Sequence, residues 1–315
     1  VQGYVNLKNK KNSSKRIAIF YFKGPGQNAL TASGMEVVPS LYNLLVRLKI
    51  EGYNVGKLPA NPQELAKMIQ AQGAVFGTYA EGAYTQFLQS GHPALVTAQQ
   101  FAGWTQKALS KKMIKEMNQL YGSFPGKYMA TDDGKLAVAR LQFGNVALLP
   151  QVMAGVGGDS FKIVHGTDQA PPYTYVASYL WARYGFSADA LIHFGTHGSL
   201  EYTPRKQVAL DSNDWSDRLI GVVPHLYIYT IGNVGEAMIA KRRTYAQTQS
   251  YLTPPFKESE LRQTYKQLGD AIQSYEKKAS AEQSLKVKAL TVKMGIAREL
   301  GLDAKQMNKP YSADE

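Results

Sequence analysis

The sequence predicts an α/β protein made of two Rossmann-like parallel-sheet units followed by a C-terminal helical hairpin. Three observations lead there. Short apolar runs bounded by turn residues alternate with longer stretches of helical spacing, which is the grammar of βαβ crossovers. The pattern breaks at Gly122 to Gly126 and then resumes, which separates an N-terminal α/β unit with a helical insertion, 1–135, from a second unit, 136–255. Beyond Pro254 and Pro255 the composition shifts to Lys, Gln, Glu and Ala, with Leu261, Tyr265, Leu268, Ile272 and Tyr275 at helical spacing, so 256–315 reads as paired helices.

In chain order, Arg16 to Phe22 is apolar and β-rich and reads as a buried strand, with Lys23 to Gly26 as its turn. An amphipathic helix follows from about Met35 to Glu51 and stops at Gly52. Val55 to Leu58 is expected as a second strand. The next helix opens on Asn61 and Pro62, since an Asn side chain caps free amides and proline fits a first turn that needs no donor. Tyr79 to Leu120 is mostly helical in pattern. Strands are expected over Leu136 to Leu149, Val146 to Gln151, Phe161 to Val164, Ala190 to Phe194 and Leu226 to Ile231. One helix is opened by Pro171 and Pro172 and closed near Gly185, and another carries Lys241, Arg242 and Arg243.

Composition narrows the function. With 315 residues, 44% hydrophobic and 19% charged, the chain suits one large or two ordinary folded domains rather than disorder. No apolar run approaches the roughly 20 residues needed to span a bilayer, and the start lacks a secretory pattern, so a soluble cytoplasmic segment is expected. The absence of cysteine removes disulfides, thiolate nucleophiles and Cys-ligated metals. A net charge of +12 suits an anionic ligand or an acidic partner; its lysines cluster in Lys8 to Lys15 and Lys277 to Lys293, which read as solvated ends, and nucleic acid is not expected. Gly24 to Gly26 and Gly155 to Gly158 each follow a strand, yet neither continues as a phosphate loop, so they read as tight turns and no nucleotide-hydrolysing site is expected. A serine-hydrolase elbow is also missing.

The chemistry concentrates in His193 to Glu201, where two of the chain's five histidines and a carboxylate share one glycine-rich turn after a strand. On a helix His193 and His197 would share a face. Gly195 and Gly198 argue instead for strand, turn and helix, with Thr196 or Ser199 as the cap and Glu201 at the helix start. Such a turn lies beyond a strand's carboxyl end, where open α/β sheets collect ligands. His193, His197 and Glu201 are therefore the candidate catalytic and metal-binding residues. Lys241, Arg242 and Arg243 form a basic cluster suited to anions or equally to a solvated face, after Asn233 and Glu236.

The run His193 to Val208, with Leu219 to Tyr229, Ala240 to Ala246 and Ser250 to Pro255, resembles the large subunit of the magnesium chelatase and cobaltochelatase family. Gln142 to Val146 and the Arg16 to Val55 unit resemble it as well. The resemblance implies a segment of a longer polypeptide that binds a tetrapyrrole and inserts a divalent metal, cobalt or magnesium (iron for a haem-directed relative), with ATP hydrolysis supplied by separate AAA+ subunits. It implies Glu201 as proton acceptor with His193 and His197 assisting, and Asn145, Gln151, Asn233, Glu236, Lys241, Arg242 and Arg243 as ligand-binding residues. Two departures stand out: Tyr173 and Thr174 replace a histidine pair, and Arg205 replaces a glycine. Three alternatives stay open: a haem-demetallating relative with a membrane-associated or periplasmic location, a non-catalytic tetrapyrrole-binding protein, and an unrelated zinc hydrolase.

Overall fold

The computed structural model describes residues 1–23, 31–75, 81–152, 169–253 and 260–312. Its contacts divide the chain into Val1–Thr253 and Pro254–Glu315.

The first unit is built on one six-stranded sheet. Its strands are β1 (Ile17–Tyr21), β2 (Leu141–Phe143), β3 (Val146–Pro150), β4 (Ala190–Phe194), β5 (His225–Thr230) and β6 (Gln247–Tyr251), in spatial order β6-β5-β4-β1-β3-β2. All neighbours are parallel except β2 with β3. The two expected Rossmann-like units thus share a single sheet, because β1 lies between β3 and β4. All five β1 residues are buried, and an apolar strand buried on both faces needs a neighbour on each edge. The expected strand at Val55 to Leu58 does not form; Gly56 has φ +55° there and packs against Gly144. Gly155 to Gly158 and Phe161 to Val164 lie outside the described residues, as does the Gly24 to Gly26 turn.

Alternation along β1 sends its side chains into two cores. Ile17, Ile19 and Tyr21 pack with α1 (Val37–Ile50) and α2 (Pro62–Gln72) through Leu41, Leu45, Leu65 and Ile69. The Asn61 side chain accepts the Glu64 amide with Pro62 in the first turn, so α2 begins where its capping residues dictate. Ala18 and Phe20 face α3 (Ala98–Ala108), α4 (Lys111–Tyr121), α5 (Tyr173–Leu180) and α6 (Trp215–Ile220). Every residue of α5 is buried. The last helix of the unit, α7 (Val234–Thr244), joins β5 to β6.

Strand order reverses at β1: β3 leaves on one side and β4 returns on the other, which makes their carboxyl ends the switch point of the sheet. In the second unit, α8 (Glu260–Lys277) and α9 (Ala281–Lys293) pack together across the short link 278–280. Lys288 departs from the expected solvated tract: it is buried, with Nζ on Asp303 Oδ2 at 2.8 Å and Lys309 O at 3.0 Å. Among the described residues no helix is long and apolar enough to cross a membrane.

Candidate active site

β4 carries His193 to the switch point. Its register aligns Phe20, His193 and Tyr227 across three strands, so the three side chains share one face of the sheet. His193 is 1% exposed and both ring nitrogens are engaged: Nε2 is 2.8 Å from Tyr179 Oη, and Nδ1 is 3.1 Å from His225 Nε2. His225 Nδ1 is 3.3 Å from the Thr244 carbonyl. A carbonyl only accepts, so the chain of protons is fixed from that end. His225 Nδ1–H donates to Thr244, His193 Nδ1–H donates to His225 Nε2, and the Tyr179 hydroxyl donates to His193 Nε2. Both imidazoles are neutral in this arrangement. Burial pushes His193 well below its ordinary value, aided by the neighbouring His225, and pushes His225 down to about 4.

The turn after β4 runs over two glycines with definite reasons. Gly195 has φ +110° and lies so close to Phe22 and Ala32 that a methyl group would clash. A methyl on Gly198 would stand 2.6 Å from His193 Nδ1 and 2.9 Å from Glu201 Oε2, so only glycine lets these two groups converge. The expected helix cap does not form. Thr196 Oγ1 accepts the Thr230 amide at 2.6 Å, and Ser199 Oγ pairs with Tyr175 Oη at 3.0 Å. In place of the expected helix, a single 3-10 turn, Leu200–Tyr202, drops Glu201 into the interior with no exposed surface.

Tyr227 meets Glu201 there. Its hydroxyl donates to Oε1 and accepts the Gly198 amide at 3.0 Å. Oε2 is buried with no hydrogen-bond partner among the described residues. Burial raises the Glu201 pKa to about 7, although the Tyr227 hydrogen bond and the Arg243 charge pull the other way. The turn is held from behind by Arg243, which is fully buried and donates from Nη1 to the carbonyls of Glu201 (2.5 Å) and Thr203 (2.6 Å) and from Nη2 to that of Pro204 (3.2 Å). Arg243 therefore clamps backbone and does not grip an external anion; Lys241 and Arg242 are exposed.

His197 turns elsewhere. Half-buried, it takes the Asn233 Nδ2 donor on Nε2 at 3.2 Å, with Glu236 Oε1 at 3.9 Å and the Tyr202 ring edge-on at 6.2 Å. Desolvation lowers its pKa against the pull of Glu236. Asn233 and Glu236 stand at the start of α7, so that helix supplies a second, half-exposed cluster next to the turn. The sequence-expected metal triad is not assembled: among the described residues no three His, Asp or Glu side chains converge to hold a metal, and both His193 nitrogens are occupied. Asn145 sits at the opposite end of the sheet, where it precedes β3 and its side chain binds the Ser13 carbonyl. Gln151 lies at the carboxyl edge, its amide on Tyr21 O at 3.0 Å. Two surface cavities, of 420 Å³ beside Tyr121 and Tyr173 and of 540 Å³ beside Glu116 and Arg205, do not include Glu201 or His193.

Tyr179, His225, Tyr227 and Tyr202 complete the site, and the sequence motif singles out none of them. A signal exists for two: His225 and Tyr227 occupy alternate positions of one strand and so share a face.

Known proteins share this geometry's sequence. The family description CobN/Magnesium Chelatase matches residues 1–315. The H subunit of magnesium chelatase from Rhodobacter capsulatus is 35% identical over 270 residues, covering 85% of this chain and 21% of that protein. The aerobic cobaltochelatase subunit CobN of Pseudomonas aeruginosa is 30% identical over 259 residues, covering 82% of this chain and 20% of that protein. The chain thus spans about a fifth of the length of these relatives. The solved catalytic subunit of cobaltochelatase from Mycobacterium tuberculosis shares the fold, with a TM-score of 0.67 at 23% identity over 95% of this chain and 25% of that one.

Proposed function

The chain belongs to the CobN/magnesium chelatase family, and on that premise we propose that it acts in the insertion of a divalent metal into a tetrapyrrole, with Glu201 as proton acceptor. Closing a metal into the ring releases the two pyrrole N–H protons, and a base of near-neutral pKa is suited to take them. The observation that carries this reading is Glu201: fully buried, tethered at Oε1 by Tyr227, without a hydrogen-bond partner at Oε2 among the described residues, and with a pKa of about 7. It is half protonated near physiological pH, so it can accept a proton and release it again within one cycle.

In this reading His193 has a positioning role in place of the metal-binding one expected of it. His193, neutral and bonded at both nitrogens, positions the turn beside Glu201 and does not bind metal. The half-exposed pair His197 and Glu236 is the part of the site that meets substrate and incoming metal. One imidazole and carboxylate oxygens accept either the softer cobalt or iron or the harder magnesium. The names of the relatives, each a subunit, support action with further subunits, which in this reading are AAA+ partners supplying ATP hydrolysis.

A Soret-band titration with metal-free porphyrin, haem and a cobyrinic acid derivative, followed by metal addition with partner subunits, tests the reading. Binding of a metal-free ring by wild type and by Glu201→Gln, with metallation only by wild type, is expected. Normal metallation by Glu201→Gln refutes the role; binding of haem alone would instead favour metal removal.

A further inference from the structure

Arg205 holds a backbone shape that side chains disfavour. Its φ is +95°, a conformation that persists in a residue other than glycine only where the surroundings enforce it, and that gathers at ligand clamps. The same residue leaves its guanidinium half used. Nη2 donates to Glu116 Oε2 on α4, while Nε is buried without a hydrogen-bond partner among the described residues. Nε and Nη2 form one planar fork that a single carboxylate can fill with both oxygens, and Glu116 engages only the Nη2 side of it.

Arg205 lines the 540 Å³ cleft that lies between α4 and the loop 205–214, together with Lys112 and Lys206. Lys112 is exposed, as are Lys111 and Lys115 beside it, and none of the three pairs with an acid among the described residues. They crowd the amino end of α4, whose first turn carries no acid and whose free amides are themselves positive. The acids of the loop are already engaged. Asp214 is fully buried and accepts the Lys206 and Asp211 amides at 2.8 and 2.6 Å, and Asp211 pairs with Lys206 at 2.7 Å. We propose that this cleft docks an acidic segment of a partner protein, one carboxylate of which displaces Glu116 and fills the Arg205 fork while others meet Lys112 and Lys115. Charge complementarity selects that occupant. The chain carries a net charge of +12, the group that Arg205 already holds is a carboxylate, and Asp211 and Asp214 in the cleft wall oppose the denser charge of phosphates. The carbonyl of Pro204, one residue before, is held by the same Arg243 guanidinium that holds the Glu201 carbonyl, so a partner that reseats Arg205 pulls on the turn that sets Glu201. The contact is independent of which ring or metal the Glu201 site takes.

Fluorescence anisotropy of a rhodamine-labelled hexaglutamate peptide, titrated with the full chain at low salt, tests this. Wild type should bind the peptide and release it as salt is raised. Glu116→Gln removes the internal competitor and should tighten binding about threefold, whereas Arg205→Gly with Lys112→Glu should weaken it about tenfold. Glycine takes φ +95° without strain, and melting temperatures near that of wild type check the fold of each variant. Lys112→Glu with Lys115→Glu, both at exposed positions, should by itself weaken binding about fivefold. Lys8→Glu with Lys11→Glu, in the separate basic tract, should leave the affinity unchanged. No binding by wild type, wild-type affinity in either cleft double variant, no tightening by Glu116→Gln, or an equal loss in the Lys8 and Lys11 variant overturns the site. Displacement of the peptide by tripolyphosphate or hexathymidylate at a lower concentration than by unlabelled hexaglutamate overturns the class of partner.

Discussion

Tyr227 reaches from β5 to Glu201, giving its hydroxyl proton to Oε1 while accepting the Gly198 amide at 3.0 Å. One hydroxyl thereby ties the carboxylate, the glycine turn and the sheet into a single unit. Because the bond favours the ionised carboxylate, it works against the burial that raises the Glu201 pKa.

Tyr227→Phe removes that bond and leaves two buried groups unpaired, the Gly198 amide and Oε1. A loss of about 1–3 kcal/mol is expected, and the Glu201 pKa rises further. Chemical denaturation measures the first; an alkaline shift of the metallation pH profile measures the second.

Glu201 has an ordinary carboxyl pKa of 4.5 and a folded value of about 7. Between these the folded protein keeps a proton that the unfolded chain has lost, so its contribution makes stability fall as pH rises. Glu201→Gln should remove this slope and raise stability above pH 7 by up to about 3 kcal/mol, while metallation is abolished. Urea midpoints across pH 4.5 to 7.5 in wild type and variant check the sign.

His225 works in the opposite sense. Its folded pKa of about 4 lies below the ordinary 6.5, so the unfolded chain gains the proton first and stability is lost as pH falls through that window. His193 adds to the loss. Glu201 and His225 roughly offset one another over the shared window, so the wild type keeps the acid loss due to His193, and Glu201→Gln should deepen that loss by roughly 3 kcal/mol. The same midpoints taken on His225→Gln should show a shallower fall in acid.

Arg243 holds three carbonyls of the Glu201 to Pro204 turn. Arg243→Met should cost about 3 kcal/mol or more, since buried carbonyls lose charged donors. Arg243→Lys should not rescue it, because an ammonium lacks the planar fork that spans neighbouring acceptors. Thermal melts compare the two.

Gly198→Ala forces a methyl against His193 Nδ1 and Glu201 Oε2. A destabilisation of about 1–3 kcal/mol is expected, with metallation falling more than stability because the two groups are pushed apart. Paired melting and turnover measurements separate these effects.

Much of this architecture is legible in the sequence. β1 and β4 are continuous apolar runs, and α2 opens where Asn61 and Pro62 say it should. The features that escape it are non-local. Nothing in Gln247–Tyr251, polar and mostly exposed, distinguishes an edge strand from a loop before β5 supplies its ladder. Val55 reads like a strand residue, and only the packing of Gly56 on Gly144 decides otherwise. The sharing of one sheet by both α/β units is a pairing decision that no local pattern encodes. At the site, Glu201 and the switch-point turn are readable as a motif. The burial of Arg243 and the occupation of both His193 nitrogens depend on strands and helices distant in sequence.

In the proposed reaction Glu201 accepts the ring's proton at a pKa near neutrality. The pH dependence of porphyrin metallation by the complete chelatase, wild type against Glu201→Gln, tests this most directly. The wild-type rate should rise with unit slope and level off at about pH 7, with the variant reduced to background at every pH. A variant that metallates at the wild-type rate, or that keeps the same break in its profile, would contradict it.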